Sequence, residues 1–347
     1  MLTEDANRTH MIESAIQQLL AGEPLSAPEI EAVAGRMMAG EATPVQMAAF
    51  LTALRMRGER IADVVAFARV LRERARAFNR PDGVVVDTCG TGGDHLGTFN
   101  ISTAAALVAA GAGVRVAKHG NRSSTSKCGS ADVLQELGVR LDAPPEVMER
   151  ALATAGICFL FAQHYHQSMR HVAPVRRELP FRTVFNLVGP LANPARTSRQ
   201  LIGVFEPGLV EVYAMALAEL GCERGMVVHG EEGLDEISIT GGTTFAEVRD
   251  GALTTGRLTP EEFGMTPGTI DDIRGGDAAV NARIILDVLG GEAGPRADIV
   301  VLNAGAALLV AGAVPDMASG VAAARASLRS GAAMRALEQL REITNQD

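Results

Sequence analysis

A chain of 347 residues, 47% of them hydrophobic, has material for one large or two modest domains with buried cores. Its 32 basic and 41 acidic residues give a net charge of −9; with no tryptophan and two tyrosines, that composition argues against general nucleic-acid binding. No apolar run reaches the length of a membrane span. The opening Met-Leu-Thr-Glu-Asp lacks the basic and apolar regions of a signal peptide. Four cysteines without CxxC or metal-ligand spacing point to reduced thiols in a cytoplasm.

The first eighty or so residues read as helical throughout. Met11, Ile12, Ala15, Ile16, Leu19 and Leu20 follow helical spacing. Ser26-Ala-Pro-Glu29 and Thr43-Pro-Val-Gln46 fit the capping box, each just ahead of an apolar-periodic run. A fourth helix is predicted from Ile61 to about Ala77. With no glycine-rich loop or histidine cluster here, this part reads as a packing or dimerisation module.

From Val84 the texture changes to short β-branched runs alternating with alanine-rich segments. Strands are predicted at 84–87, 114–117, 201–204, 225–228 and 299–302, and helices at 102–110, 132–137, 145–155, 210–220, 277–289 and 320–337. Thr244–Asp250 followed by Gly251 reads as a strand entering a turn, an antiparallel excursion. The alternation predicts an α/β domain with a mostly parallel sheet.

Two loops carry the chemistry. Asp87-Thr-Cys-Gly-Thr-Gly-Gly-Asp94 follows a strand and, through Phe99-Asn-Ile-Ser-Thr103, opens a helix; such a turn exposes backbone N–H groups to phosphate oxygens. It is neither a P-loop, because Asp94 and His95 follow Gly93, nor a dinucleotide fingerprint, because His95 stands where the third glycine belongs. An acid inside the loop suits a ribose hydroxyl pair or a metal-bridged diphosphate. The second loop, from Lys118 to Asp132, offers three cations (Lys118, Arg122, Lys127), five hydroxyls and two glycines, and Ser130 lies near the next helix start. Both loops fall at strand C-termini, where α/β sheets bind ligands. Asp235 and Glu236, adjacent on a loop, can reach one cation, and Mg²⁺ favours one or two carboxylates plus phosphate oxygens. His164, His166 and His171 are compatible with one helix, but no acid or cysteine completes a metal site there.

These motifs, with Lys118-His-Gly-Asn-Arg-Ser, Cys128-Gly-Ser-Ala-Asp-Val-Leu, Leu234-Asp-Glu-Ile-Ser, Arg182-Thr-Val-Phe-Asn-Leu-Val-Gly-Pro-Leu-Ala-Asn-Pro194 and Ala297–Leu308, resemble the anthranilate phosphoribosyltransferases, of the nucleoside phosphorylase/phosphoribosyltransferase superfamily. The resemblance covers nearly the whole chain. It implies an α/β fold class: a small all-helical N-terminal domain over 1–80, with a helical contribution from about 173–195, hinged to an α/β domain over 81–347. It also implies a cytoplasmic homodimer assembled through the helical parts.

The implied reaction is transfer of the phosphoribosyl group of 5-phosphoribosyl diphosphate (PRPP) to the amine of anthranilate, early in tryptophan synthesis. By resemblance, Gly90, Gly93, Asp94, Thr98, Asn100, Ser102, Thr103, Lys118 and Ser130 contact PRPP. Asp235 and Glu236 hold Mg²⁺, with Ser102 contributing at a second ion, and Gly90, His119, Asn121, Arg176 and Pro190 line the anthranilate site, Arg176 facing the carboxylate. Lys118, Asp94 and His119 are the implied catalytic residues. Gln163 and Gln167 stand where many relatives have proline, and Pro180 where they have glycine, all on the acceptor side. The rival readings are a same-fold transferase with another aromatic acceptor, a pyrimidine nucleoside phosphorylase, and a non-enzymatic nucleic-acid-binding homologue. The last requires a basic surface and eroded loops, and neither is found.

Overall fold

In the computed structural model, residues 2–123 and 127–346 are described. The chain begins with α1 (Leu2–Leu20), α2 (Ala27–Ala39), α3 (Pro44–Arg57) and α4 (Ile61–Arg74). Then come β1 (Val85–Gly90), α5 (Ile101–Gly111), β2 (Arg115–Gly120), α6 (Ser130–Glu136), α7 (Pro145–Thr154) and β3 (Ile157–Phe161). Two short helices follow, α8 (Ala162–Tyr165) and α9 (Ala173–Glu178). Next are β4 (Arg199–Gly203), α10 (Leu209–Glu219), β5 (Arg224–Gly230), β6 (Thr243–Arg249) and β7 (Ala252–Leu258). Four helices close the described chain: α11 (Ala278–Leu289), α12 (Pro295–Ala311), α13 (Met317–Arg329) and α14 (Ala332–Asn345).

Two compact units result, Met1–Arg76 with Tyr165–Ala192, and Ala77–His164 with Asn193–Asp347. The return segment therefore begins at Tyr165, earlier than the expected 173, and ends at Ala192. In the helical unit, α3 starts with a reciprocal capping box: Gln46 N–H donates to the Thr43 hydroxyl at 3.2 Å and Thr43 N–H to Gln46 Oε1 at 3.0 Å. At α2 the Glu29 carboxylate accepts from Ser26 N–H at 2.8 Å. The helix stops at Gly40 (φ 76°), where a Cβ would meet the His171 ring. Phe50, Phe67 and Phe185 form the aromatic core of this unit.

The other unit is built on a seven-stranded sheet in the order β3-β2-β1-β4-β5-β6-β7. β1 to β5 are parallel; β6 and β7 form the antiparallel hairpin anticipated at Gly251. The order runs one way from β1 to β3 and the other way from β4, so the crevice above β1 and β4 is a topological switch point.

Two expectations fail here. The predicted strand at 299–302 lies inside α12, because a short apolar run has the same texture in a buried strand and a buried helix. Pro295 in its first turn, Gly312 (φ 75°) after its last residue and burial on every side from Ile299 to Ala311 settle it as a core helix. The predicted helix at 320–337 is two helices, divided at Ser330-Gly331, where Gly331 takes φ 69°. β3 was not anticipated as a strand.

Candidate functional site

The C-terminal ends of β1, β2 and β4 are glycines: Gly90, Gly120 and Gly203. Gly90 and Gly203 are register partners, and a Cβ on either would collide with Asp235. Their lack of side chains lets the loop after β5 lie directly on the strand ends. Asn303, buried in α12, pins that loop: its Oδ1 accepts from Ile237 N–H and its Nδ2 donates to the Ile237 carbonyl, each at 2.9 Å. The result is a cavity of about 640 Å³ at the switch point.

A buried lysine lines this cavity, and a buried aspartate lies close by. Lys118 is 2% exposed; its Nζ donates to the Thr88 carbonyl at 2.5 Å and the Ser102 hydroxyl at 3.1 Å. Burial lowers the Lys118 pKa against the pull of Asp87. Burial raises that of Asp87, opposed by Asn193 and Lys118, and Asp87 Oδ1 accepts from His119 N–H at 3.1 Å. Thr103 Oγ1 is buried without a hydrogen-bond partner among the described residues, as befits a donor awaiting a ligand.

The phosphate loop is strongly bent, with Gly92, Gly93, His95 and Gly97 all at positive φ. Three of these four are glycine, for which that conformation is free of strain. Gly92 N–H donates to Asp235 Oδ2 at 2.6 Å, and Ser102 N–H to Glu236 Oε1 at 3.0 Å. Burial, then the charge of Asp94, pushes the Asp235 pKa up to about 7; burial, then Asp235, pushes Glu236 up to about 8. Burial also raises Asp94. Three carboxyl groups crowded into one cavity with one buried lysine leave a deficit of positive charge that a hard, oxygen-seeking cation relieves. Two carboxylates and the Ser102 hydroxyl fit Mg²⁺, which completes its shell with water and phosphate oxygens. No cluster of three or more histidine, cysteine, aspartate or glutamate side chains able to hold a metal occurs among the described residues, the 164–171 histidines included.

Of the anticipated residues, Gly90, Gly93, Asp94, Thr98, Asn100, Ser102, Thr103, Lys118, His119, Asn121, Ser130, Asp235 and Glu236 all line this cavity. Arg176 and Pro190 belong to the helical unit. There the Arg176 guanidinium lies over the Phe185 ring at 5.3 Å, and burial lowers its pKa. Arg122, one of the three loop cations, is engaged by Asp132 and Gln135, each at 2.6 Å. Ser130 starts α6, with its hydroxyl 3.4 Å from the Asn121 carbonyl.

One wall was not anticipated. Arg274, Gly275, Gly276 and Asn281 also line the cavity. Thr98 bridges Arg274, and Gly275 N–H donates to the Gly97 carbonyl at 2.9 Å, which ties this segment to the phosphate loop. The glycine pair before a predicted helix was the available signal.

Comparison with known proteins adds three findings. Residues 82–334 match the glycosyl transferase family a/b domain, and residues 13–75 the helical bundle domain of the glycosyl transferase family. The anthranilate phosphoribosyltransferase of Rubrobacter xylanophilus is 53% identical over 335 residues, covering 96% of this chain and 98% of that protein. Among solved structures, the anthranilate phosphoribosyltransferase of Thermus thermophilus superposes with a TM-score of 0.90 at 46% identity, covering 96% of this chain and 99% of that one. The enzyme of Saccharomyces cerevisiae in complex with PRPP and Mg superposes with a TM-score of 0.88 at 28% identity, with 96% and 99% covered.

Proposed function

The chain belongs to the anthranilate phosphoribosyltransferase family, and from that premise we propose how its residues divide the family's reaction between them. The protein transfers the phosphoribosyl group of PRPP to the amine of anthranilate, releasing diphosphate, in tryptophan biosynthesis. The observation that carries the residue assignment is the conjunction, in one cavity, of a glycine-lined phosphate cradle and two carboxyls held above their ordinary pKa.

In this reading Gly90, Gly93, Thr98, Asn100, Thr103 and Ser130 receive the diphosphate donor, and Asp94 faces its ribose or diphosphate. Asp235, Glu236 and the Ser102 hydroxyl hold Mg²⁺, which when bound neutralises charge on the departing diphosphate. Lys118 supplies a fixed positive charge beneath the same group, and the loop N–H groups add oriented dipoles. The aniline nitrogen of anthranilate is nucleophilic while neutral, so holding it in line with ribose C1 contributes heavily. Gly90, His119, Asn121, Arg176 and Pro190 are assigned to that task, with His119 taking the amine proton after the C–N bond forms. Among the described residues no carboxylate pairs with Arg176, and the carboxylate of anthranilate is its partner in this reading.

The proposal extends to a cytoplasmic homodimer. Val45 and Met56 are 78% and 80% exposed and, with Ala49 and Thr52, fall on one stripe of α3, a face suited to a second copy. The four cysteines are buried thiols, in keeping with a reducing compartment. No described helix is long and apolar enough to cross a membrane.

The test mixes protein, PRPP, Mg²⁺ and anthranilate and follows anthranilate fluorescence. Loss that requires all four components is expected. Unchanged fluorescence alongside Mg²⁺-dependent PRPP binding by calorimetry would overturn the acceptor; no binding at all would overturn the donor site.

A further inference from the structure

Asn100 occupies the cap position of α5, where asparagine ordinarily turns its side chain onto the N–H groups two or three residues ahead. It makes no such bond. Its Nδ2 donates to the Cys128 carbonyl at 3.2 Å, and its Oδ1 accepts from Asn281 Nδ2 at 2.9 Å and from the Cys128 thiol at 3.3 Å. The helix is capped from another loop instead, by Glu236 Oε1 accepting from Ser102 N–H at 3.0 Å.

Asn281 holds this arrangement in one polarity. It is 1% exposed, and its Oδ1 accepts from Gly276 N–H at 2.7 Å. A backbone N–H can only donate, so the Asn281 oxygen must face Gly276 and its nitrogen must face Asn100. Asn100 must then present its oxygen to Asn281 and its nitrogen to the Cys128 carbonyl. Reversing either amide sets two acceptors or two donors against each other. The wall at Gly275 is tight as well: a Cβ there would lie 2.6 Å from Asn281 Oδ1 and 2.7 Å from Phe99 Cα.

We propose that Asn281 is a positioning residue for the phosphoribosyl donor: it draws the Asn100 amide off the N-terminus of α5, leaving that helix end to Glu236 and to the substrate phosphates. The inference rests on the reading that this cavity takes PRPP with Mg²⁺. Without the Asn281 donor, Asn100 Oδ1 has an ordinary capping position open to it, on the N–H of Ser102 or Thr103. There it competes with Glu236 for Ser102 N–H and places a carboxamide oxygen at the positive end of the helix, where a phosphate is otherwise favoured.

A double-mutant cycle in the full-length protein tests this. Asn281→Leu removes the donor at similar volume, and its expected effect is a rise of about tenfold in KM for PRPP, the scale of one redirected hydrogen bond, with KM for anthranilate unchanged. In the Asn100→Gly background, where no side chain can cap, the same Asn281→Leu change is expected to alter Mg²⁺-dependent PRPP binding by less than about twofold. An asparagine that only braced the wall through Gly276 would cost the same in both backgrounds. Should Asn281→Leu not fold, Asn281→Ala, which likewise removes the donor and adds no charge to the cavity, goes through the same cycle. Equal losses in both backgrounds, or an unchanged KM for PRPP, overturn the proposal while the donor site stands. Failure of the unmutated protein to bind PRPP with Mg²⁺ removes the reading beneath it.

Discussion

In the helical unit, Asp63 lies fully buried in the first turn of α4 with both oxygens engaged. Arg60 N–H and Arg60 Nη2 each donate to it at 2.9 Å, and the Arg57 guanidinium pairs with it. In the α/β unit, Asp235 and Glu236 each accept a backbone N–H, yet they face one another and Asp94 with a single buried lysine nearby. The two regions bury the same chemical group to opposite ends. At Asp63 the chain supplies the counter-charges itself, and the cluster is finished. At Asp235 and Glu236 the counter-charge is left to come from outside, and this incompleteness makes the place a site.

The comparison breaks first if Asp235 behaves like Asp63. Asp235→Asn is expected to lower kcat/KM by about a hundredfold or more, the scale of a lost charge contact in a transition state, with an unchanged or higher melting temperature because a repulsion is removed. Asp94→Asn and Lys118→Ala should lower turnover strongly with the fold intact; unmutated turnover in both would sink the assignment of this cavity. The mirror experiment is Asp63→Ala, which strands two arginines. Denaturant unfolding should show a loss of about 3 kcal/mol, with KM for both substrates unmoved.

A histidine sharpens the contrast on the helical side. His166 is buried, and burial holds its pKa down at about 4. The unfolded chain takes up this proton below pH 6.5, whereas the folded chain refuses it until about 4. The stability contributed by the neutral ring is therefore complete above pH 6.5 and lost as pH falls toward 4, by about 3 kcal/mol in all. Melting curves of the unmutated protein and His166→Gln should converge over that window; parallel curves would show that His166 does not set the acid limit. The smallest effect is expected at Arg176→Ala, about a tenfold rise in KM for anthranilate without change in KM for PRPP. An unmoved anthranilate KM would mean that this arginine does not read the carboxylate.

Much of the site could be read from residues alone, since Asp87 to Thr103 and Lys118 to Asp132 are contiguous and a glycine-rich turn announces itself locally. Asn281 and Asn303 could not. Each is a single asparagine in an otherwise unremarkable helical run, and its importance lies in partners far along the chain: Asn100 for one, Ile237 for the other. The error at 299–302 has a related cause, because burial on all sides erases the periodicity that separates helix from strand.

The amino-acid sequence by itself determined the helical beginning, the change to an α/β texture, the two loops and the carboxylate pair, because each depends on neighbours within a few residues. Only the tertiary structure decided that β1 and β4 lie side by side, so that Gly90 and Gly203 admit Asp235 between the loops. It also decided that Glu236, rather than Asn100, caps α5. Both outcomes follow from strand order and from hydrogen bonds between distant segments, which local propensity does not encode.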